Sequence, residues 1–221
     1  MTPKQERAVR TRGRLVLSAA EAFDRQGFAV ASLTAISRSA GVSNGALHFH
    51  FESKEALAVA VETEAAERVR RAAGAPDSAP ALQALADAAH AITRQLREDV
   101  VVRAGFRLGA DASRGSALGL PQQWHRSVVR LVERAHADGS LSRAVPPSDT
   151  AAAVAAAVLG FEALARSDPG WLSSGTLAGF WRLLLPRIAA DPVESGRLDC
   201  EPAEFVGGPG PAPPAVPARG W

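Results

Sequence analysis

The sequence contains one cysteine, Cys200, so no disulfide can form within the chain. A disulfide-stapled secreted domain is therefore excluded, and a reducing cytoplasm is the expected location. Cys200 is interpreted as an incidental thiol near the C-terminus. Apolar runs of transmembrane length are missing, and the basic N-terminus is not followed by an apolar segment, so we predict neither a membrane span nor a signal peptide.

Lysine is also scarce. Lys4 and Lys54 are the only two lysines, and arginine supplies nearly all the positive charge. The formal net charge of +2 says little about a nucleic-acid partner. Its distribution is more informative, because residues 1–72 carry 11 basic and 8 acidic side chains while the remainder is slightly acidic. The basic excess therefore lies in the first third of the chain.

Motifs that carry catalysis are missing as well. The sequence has no phosphate-binding loop, dinucleotide fingerprint, Gly-x-Ser-x-Gly elbow or Cys/His ligand set. His48 and His50 are two residues apart on a predicted helix, roughly 200° around its axis, so they cannot share one metal ion. We predict no catalytic residue, no metal site and no cofactor, and we expect that the chain is not an enzyme.

The composition indicates an all-α fold. Alanine and other helix formers dominate, and the alternation of β-branched residues typical of strands is almost absent. With 221 residues and 47% hydrophobic content, the chain is long enough to bury a sizeable core.

Residues 32–54 predict two short helices joined by a tight turn. Ser32 is a good N-cap, and Leu33, Ile36 and Ala40 recur at helical spacing. Gly41 follows where a left-handed residue would end the first helix. Ser43 is a second N-cap. This is the pattern of a helix-turn-helix, which places its second helix in the DNA major groove, although an ordinary helical hairpin has the same pattern.

The second helix has the features of a DNA reader. Its first turn is small and polar, which allows close approach to the duplex, and a helix N-terminus favours a phosphate oxygen. Leu47 and Phe51 are predicted to face inward. The candidate DNA-binding residues of the whole N-terminal region are Arg7, Arg10, Arg12, Ser32, Thr34, Ser43, Asn44, Gly45, Ala46, His48, Phe49 and Lys54.

Two runs, AGVSNGALHFHF at residues 40–51 and SKEAL at 53–57, resemble the signature of TetR-family repressors. Within that family the GALxFHF run is most similar to the γ-butyrolactone receptor branch of actinomycetes, and the similarity extends over residues 4–61. The family usually has a phosphate-contacting tyrosine where His48 stands, and many receptors of the branch have lysine in place of Asn44. Ser37 also replaces the more usual alanine. The operator preference is therefore expected to depart from the commonest pattern.

Apolar periodicity predicts further helices outside the motif. Their ranges are 5–26, ending at Gly27; 54 to the break around Gly74; 81–98; 100 to about 110, capped by Asp99; 121–138, ended by Gly139; 150–165, capped by Ser148 or Asp149; and 173 to 188, kinked at Pro186. The charged stretch from Glu62 to Arg71 is expected to be mostly a solvated face.

The C-terminal body carries a second resemblance. Residues 100–108, VVVRAGFRL, and the pair Trp124-His125 look like the corresponding segments of the same receptor branch. The resemblance implies that Trp124 covers a ligand pocket, whereas without it a core tryptophan is the simpler interpretation. The other candidate lining residues are Leu85, Ala89, Phe106, Val158 and Phe161.

These expectations divide the chain into three parts: a three-helix helix-turn-helix DNA-binding domain at 1–52, a helical ligand-binding and dimerisation domain at 53–190, and a disordered Pro/Gly-rich tail at 191–221. The resemblance implies a homodimer paired through the last two predicted helices, 150–165 and 173–188, the eighth and ninth of the chain. It also implies a palindromic operator and an inducer that is a γ-butyrolactone or a related molecule such as an antibiotic. True receptors and pseudo-receptors both remain possible. A helical protein that sequesters small molecules and binds DNA only weakly is the alternative function.

Overall fold

The computed structural model describes residues 2–72, 80–111, 114 and 119–191. Within these ranges the chain forms nine α-helices and one short 3₁₀ turn. The helices are α1 (Pro3–Val30), α2 (Leu33–Ser39), α3 (Asn44–His50), α4 (Lys54–Ala72), α5 (Ala81–Glu98), α6 (Val100–Ala110), α7 (Leu120–Ala137), α8 (Pro147–Leu164) and α9 (Ser174–Ile188). An isolated antiparallel bridge between Leu141 and Ala189 is the only β pairing in the described part, so the all-α prediction is confirmed.

Helix α1 is longer than the sequence predicts at both ends. Its N-terminus is a capping box in which the Thr2 hydroxyl accepts the backbone N–H of Gln5, and Pro3 opens the first turn. Gly27 has a φ of 78°, so the helical path is interrupted at the predicted residue but continues for one more turn to Val30. Phe28, placed after this kink, packs against Phe23 with ring centres 5.7 Å apart.

The two helices of the motif have the predicted caps. The Ser32 hydroxyl accepts the backbone N–H of Ala35, and the Ser43 hydroxyl accepts that of Ala46, both at 3.1 Å. Gly41, between the helices, has a φ of 64°, which a side chain would strain. Buried Ile36 and Leu47 hold the helices together.

Helix α4 is the central element of the fold and packs along α6. Its buried side contains Leu57, Val61 and Ala65. The two helices approach so closely at Gly105 that a Cβ atom there would lie 2.4 Å from the Cβ of Ala65. The prediction that the stretch from Glu62 to Arg71 is mostly solvated is wrong for Glu62, whose side chain is fully buried. The fold tolerates this buried carboxylate because the Arg114 guanidinium pairs with it at 3.4 Å.

The predicted limits of α5 and α6 are confirmed, and those of α7 differ by one residue. Asp99 caps α6 by accepting the backbone N–H groups of Val101 and Val102. The predicted cap of α8 at Ser148 or Asp149 is wrong, because the helix already begins at Pro147 and no side chain caps it. Proline suits the first helical position because it needs no backbone donor there.

The C-terminal end of the body contains one element that the sequence pattern missed. Residues Pro169–Leu172 form a 3₁₀ turn, capped by Asp168, between α8 and α9. Helix α9 begins at Ser174, within one residue of the predicted start, with Ser173 as its cap, and it continues through Pro186 to Ile188. No helix in the described ranges is long and apolar enough to cross a membrane. The predicted tail at 191–221 lies outside the described residues except for Asp191.

Candidate functional site

Arg14 of α1 braces the turn of the helix-turn-helix. The Arg14 guanidinium donates from Nε to the carbonyl oxygen of Ala40 at 3.0 Å and from Nη2 to that of Gly41 at 2.9 Å. These carbonyls belong to the end of α2 and the turn, where helix geometry leaves acceptors without an intrahelical donor. Arg14 therefore fixes the angle at which α3 leaves the turn.

Helix α3 presents a polar, open surface. Asn44, Gly45 and His48 are exposed, and Ala46 is half-buried, while Leu47 points into the core. A side-chain carbon at Gly45 would meet no atom closer than the Ser43 hydroxyl at 4.0 Å, so nothing in the described chain covers this turn. Phe49 is 83% exposed, which is unusual for a phenylalanine on a short helix.

The first turn of α2 lies beside this surface. Ser32 and Thr34 are exposed, and the buried Ser37 connects the two helices because its hydroxyl lies 3.2 Å from the side-chain oxygen of Asn44. The predicted residues of α2 and α3 are thus brought together on one side of the motif. The Ser32 and Ser43 hydroxyls each accept a backbone N–H of their own helix, which uses one acceptor lone pair and not the O–H donor that a phosphate would accept.

Three of the candidate DNA-binding residues form a basic arm on the first part of α1. Arg7, Arg10 and Arg12 are all exposed on this helix. The Arg12 guanidinium lies 5.2 Å from the centre of the Phe51 ring, which places it next to the end of α3. Arg12 therefore adds positive charge beside the motif, as backbone neutralisation of DNA requires, and Arg7 and Arg10 add exposed positive charge on the same helix.

Lys54 does not have the environment that its predicted phosphate contact requires. Its ammonium donates to the carbonyl oxygens of Phe28, Ala29 and Ala31 at 2.8, 3.1 and 3.0 Å. An ammonium has three N–H donors, and all three are therefore used inside the protein. In this geometry Lys54 connects α1 to α4, and its contact with DNA stays a prediction.

A cavity of about 680 Å³ lies between α4, α5, α6 and α7. Its apolar wall includes Val69, Ile92, Phe106, Trp124 and Leu131. A concave, mostly apolar cavity of this size is the usual form of a small-molecule site. The Trp124 indole N–H is buried and has no acceptor among the described residues.

Two of the six predicted pocket residues, Trp124 and Phe106, line this cavity, and four do not. Leu85 and Ala89 are fully buried on another side of α5, whose cavity face is formed by other residues, namely Ala84, Ala88, Ala91, Ile92 and Gln95. Val158 belongs to the core around α8, and Phe161 stacks on Trp171 with ring centres 6.3 Å apart. The apolar periodicity of α5 correctly identified buried positions. The cavity, however, is lined by residues at the edge of that apolar stripe.

The sequence interpretation also missed the charged rim of the cavity. Arg70, Arg130 and Arg134 line it, together with one acidic side chain, Glu67, which pairs with Arg70. Part of this rim could have been predicted from the helical spacing. Ser127, Arg130 and Arg134 follow Trp124 at intervals of three and four residues, so they lie on the same face of the helix.

Ion pairs connect the N-terminal helices to the body. Arg107 of α6 pairs with Asp24 of α1 at 2.8 Å and with Glu162 of α8 at 3.1 Å. Arg114 pairs with Glu55, at the start of α4, at 2.5 Å. Burial opposes the charge on Asp99, but hydrogen bonds from Arg68 and from two backbone N–H groups outweigh it and lower the pKa of Asp99.

Comparisons with known proteins agree with this geometry. Residues 15–61 match the family described as bacterial regulatory proteins, tetR family. The chain is 35% identical over 206 residues to the A-factor receptor protein of Streptomyces griseus, which covers 89% of this chain and 72% of that protein. The chain belongs to the TetR family.

Two solved structures have a similar overall architecture. A γ-butyrolactone receptor described as ArpA-like superposes with a TM-score of 0.72 at 25% identity, covering 86% of this chain and 93% of that one. CprB of Streptomyces coelicolor, solved in complex with its biological operator sequence, superposes with a TM-score of 0.74 at 26% identity, covering 87% and 94%.

Membership of the TetR family decides the class of function. The chain is a DNA-binding transcriptional regulator, and the prediction that it is not an enzyme is confirmed by the family to which it belongs. The alternative of a protein that sequesters small molecules and binds DNA only weakly is not favoured. The similarity to the receptor relatives covers both the helix-turn-helix and the C-terminal helices.

Proposed function

We propose that the protein is a ligand-responsive repressor that controls antibiotic or other secondary-metabolite genes. The observation that carries this proposal is the arrangement of α4, which begins beside the reading helices and lines the cavity with Ala66 and Val69. One rigid helix thus connects a polar reading surface with an apolar binding site. The similarity to the A-factor receptor supports the same assignment.

DNA binding is assigned to α3, the first turn of α2 and the arm on α1. Asn44 and His48 are four residues apart and share the exposed side of α3, which supports the proposal that they contact base edges and phosphate. Exposed Arg7 and Arg10 neutralise phosphates without reading sequence. Ser32, Thr34, Ser43, Gly45, Ala46, Arg12 and Phe49 complete the proposed interface.

The ligand is proposed to be a γ-butyrolactone or a related small molecule held in the cavity. An alkyl tail fits the wall of Phe106, Trp124 and Leu131, since apolar surface is removed from water there. The buried indole N–H of Trp124 is a donor for a carbonyl oxygen once the ligand is in contact with it. The arginine rim favours a polar or anionic group at the cavity mouth.

The active form is proposed to be a homodimer paired through α8 and α9. In the single chain, α8 has an exposed face of small apolar residues that includes Ala152, Ala153 and Ala156. The side chain of Leu183 on α9 is 77% exposed. Small residues allow two helices to approach closely, and burial of Leu183 removes apolar area from water. Two copies related by a two-fold axis match a palindromic operator.

Release from DNA follows from a change in α4. We infer that ligand in each cavity displaces α4 against α6. This displacement changes the distance between the two helix-turn-helix motifs of the dimer. The ligand needs a differential affinity of about 1–3 kcal/mol between the two spacings for a 5- to 150-fold change in operator affinity. The Arg114–Glu55 pair at the start of α4 is one of the contacts that this movement would alter.

This proposal divides the chain into a DNA-binding domain at 1–52 and a ligand-binding and dimerisation domain at 53–190, acting in the cytoplasm. It is tested by footprinting the purified protein on its own promoter and those of neighbouring genes. A protected palindrome that is released by an alkyl γ-butyrolactone or an antibiotic supports the proposal. The absence of any protected palindrome would refute the repressor function.

A further inference from the structure

The side chains of Ser37 and Asn44 are in contact across the two helices of the motif. The Ser37 hydroxyl oxygen lies 3.2 Å from Oδ1 of Asn44 and 3.1 Å from the carbonyl oxygen of Thr34. Ser37 is buried at 4% exposure, whereas Asn44 is exposed at the first position of α3. A buried group of one helix thus holds the exposed amide of the next.

We propose that Ser37 positions the Asn44 amide to read an adenine-containing base pair in the major groove. This inference rests on the proposed function, because it requires α3 to enter that groove. Ser37 acts as a positioning residue, and Asn44 is the residue that contacts the base.

The hydrogen-bonding capacity of the amide agrees with adenine as the target. An asparagine side chain has two donors and two acceptor lone pairs, and Ser37 uses one of these four. With Oδ1 towards Ser37, both N–H donors and one lone pair remain. With the amide turned over, the Ser37 hydrogen goes to Thr34 and the Asn44 amide donates to Ser37. One N–H and two lone pairs then remain.

Either orientation therefore leaves at least one donor and one acceptor for DNA. Adenine presents an acceptor, N7, beside a donor, the N6 amino group, in the major groove, and asparagine binds this pair in a bidentate manner. A lysine at this position carries donors only and favours the acceptors of guanine. The surroundings of Asn44 are open, since the neighbouring Gly45 has no side chain.

Positioning has a physical consequence for selectivity. An exposed asparagine samples several rotamers, and ordering it on DNA costs conformational entropy. The contact with Ser37 holds the side chain in one rotamer before binding, so less of that entropy is lost on the correct base pair. Loss of the Ser37 hydroxyl is expected to reduce discrimination at one base pair without a comparable change in overall affinity.

The experiment begins with selection of bound duplexes from a randomised DNA pool by the full-length wild-type protein. Dissociation constants are then measured for all four base pairs at each position of one half-site. Wild type is expected to prefer adenine at one position by about 5- to 150-fold. Asn44→Ala is expected to remove that preference and leave the other positions unchanged.

Ser37→Ala is expected to reduce the same preference by about 2- to 10-fold, the range of one hydrogen bond. The double variant should equal Asn44→Ala at that position, because the serine acts only through the asparagine. Ser37→Cys, which replaces the hydroxyl by a slightly larger and weaker donor, should fall between wild type and Ser37→Ala. Ser39→Ala, an exposed serine of α2, is the matched control and should behave as wild type.

If Ser37→Ala lost affinity equally for all four base pairs, the positioning role would be overturned. Ser37 would then only stabilise the packing of α2. An unchanged preference in Asn44→Ala would overturn the reading role. Both results leave the proposed function intact. A wild-type protein that selects no sequence from the pool would overturn the proposed function and this inference together.

Discussion

The ammonium of Lys54 lies 2.8 Å from the carbonyl oxygen of Phe28 and 4.5 Å from the centre of the same residue's ring. Two further carbonyl oxygens, of Ala29 and Ala31, complete its coordination. These acceptors follow the kink at Gly27, at the C-terminal end of α1. The start of α4 is therefore attached to the end of α1 by one side chain.

Replacement of Lys54 is expected to affect stability more than DNA electrostatics. Lys54→Ala should lower the free energy of unfolding by about 1–3 kcal/mol, because three carbonyl groups lose a charged donor. Urea denaturation measures this change. Lys4→Ala, an exposed lysine of the arm, should change stability by less than about 0.5 kcal/mol. A weaker salt dependence of DNA binding with unchanged stability would restore the phosphate contact for Lys54.

Arg10 is expected to act only through the DNA backbone. Arg10→Ala should weaken binding to specific and random duplexes alike and reduce the slope of log K against log salt concentration by about 0.9. Fluorescence anisotropy between low and moderate salt measures the slope. Arg143→Ala, exposed in the body, is the control and should leave the slope unchanged. A loss confined to one sequence would contradict the assignment.

Trp124 is expected to separate ligand response from DNA binding. Trp124→Phe should retain operator affinity but require at least about tenfold more alkyl γ-butyrolactone for release, because it loses the indole donor and apolar area. Gel shifts with increasing ligand measure the release. His125→Ala, the exposed neighbour, should respond as wild type. Loss of operator binding by Trp124→Phe would show that the tryptophan is only a core residue.

Leu183 is expected to be buried in the dimer. Leu183→Glu places two charges near the two-fold axis, so the protein should elute as a monomer and bind the full operator at least about tenfold more weakly. Light scattering after size-exclusion chromatography gives the mass. Val30→Glu introduces the same charge at a similarly exposed site on α1 and should leave the mass unchanged. An unchanged mass for Leu183→Glu would exclude this face from the interface.

Asp99 is expected to make stability depend on pH in acid. Its pKa is lowered in the folded protein, so its contribution is present above the unfolded pKa and is lost as the pH falls through the folded pKa. Asp99→Asn keeps the cap of α6 but loses the pair with Arg68. It should reduce stability by about 1 kcal/mol or less at neutral pH. Urea denaturation from pH 7 down to about pH 2 should show the two proteins converging. A constant difference across this range would contradict the assignment.

Local signals predicted most helix boundaries. Four side chains each cap a helix by accepting a backbone N–H two or three residues further along the chain: Ser32, Ser43, Asp99 and Ser173. Gly41 adopts the left-handed conformation that the turn requires. These interactions act over one helical turn, so neighbouring residues suffice to identify them. The cap of α8 was misplaced because Pro147 starts a helix without any side-chain cap.

The lining of the cavity was only partly predictable. The periodicity of α5 correctly marks Leu85 and Ala89 as buried, but it does not say against which element each one packs. Trp124 and Phe106 line the cavity because α7 and α6 meet there, and Phe161 instead joins Trp171 because the unpredicted 3₁₀ turn follows α8.

The sequence by itself determined the all-α class, the helix-turn-helix and the open surface of α3, since caps, glycines and apolar spacing act within a few residues. Only the tertiary structure decided the partners of the charged and polar groups. Lys54 contacts carbonyls 23 to 26 residues away, and Arg114 reaches Glu62 at a separation of 52. Ser37 meets Asn44 only because the turn brings α2 onto α3. Such pairs depend on how the helices pack, and neither member carries a local signal of the other.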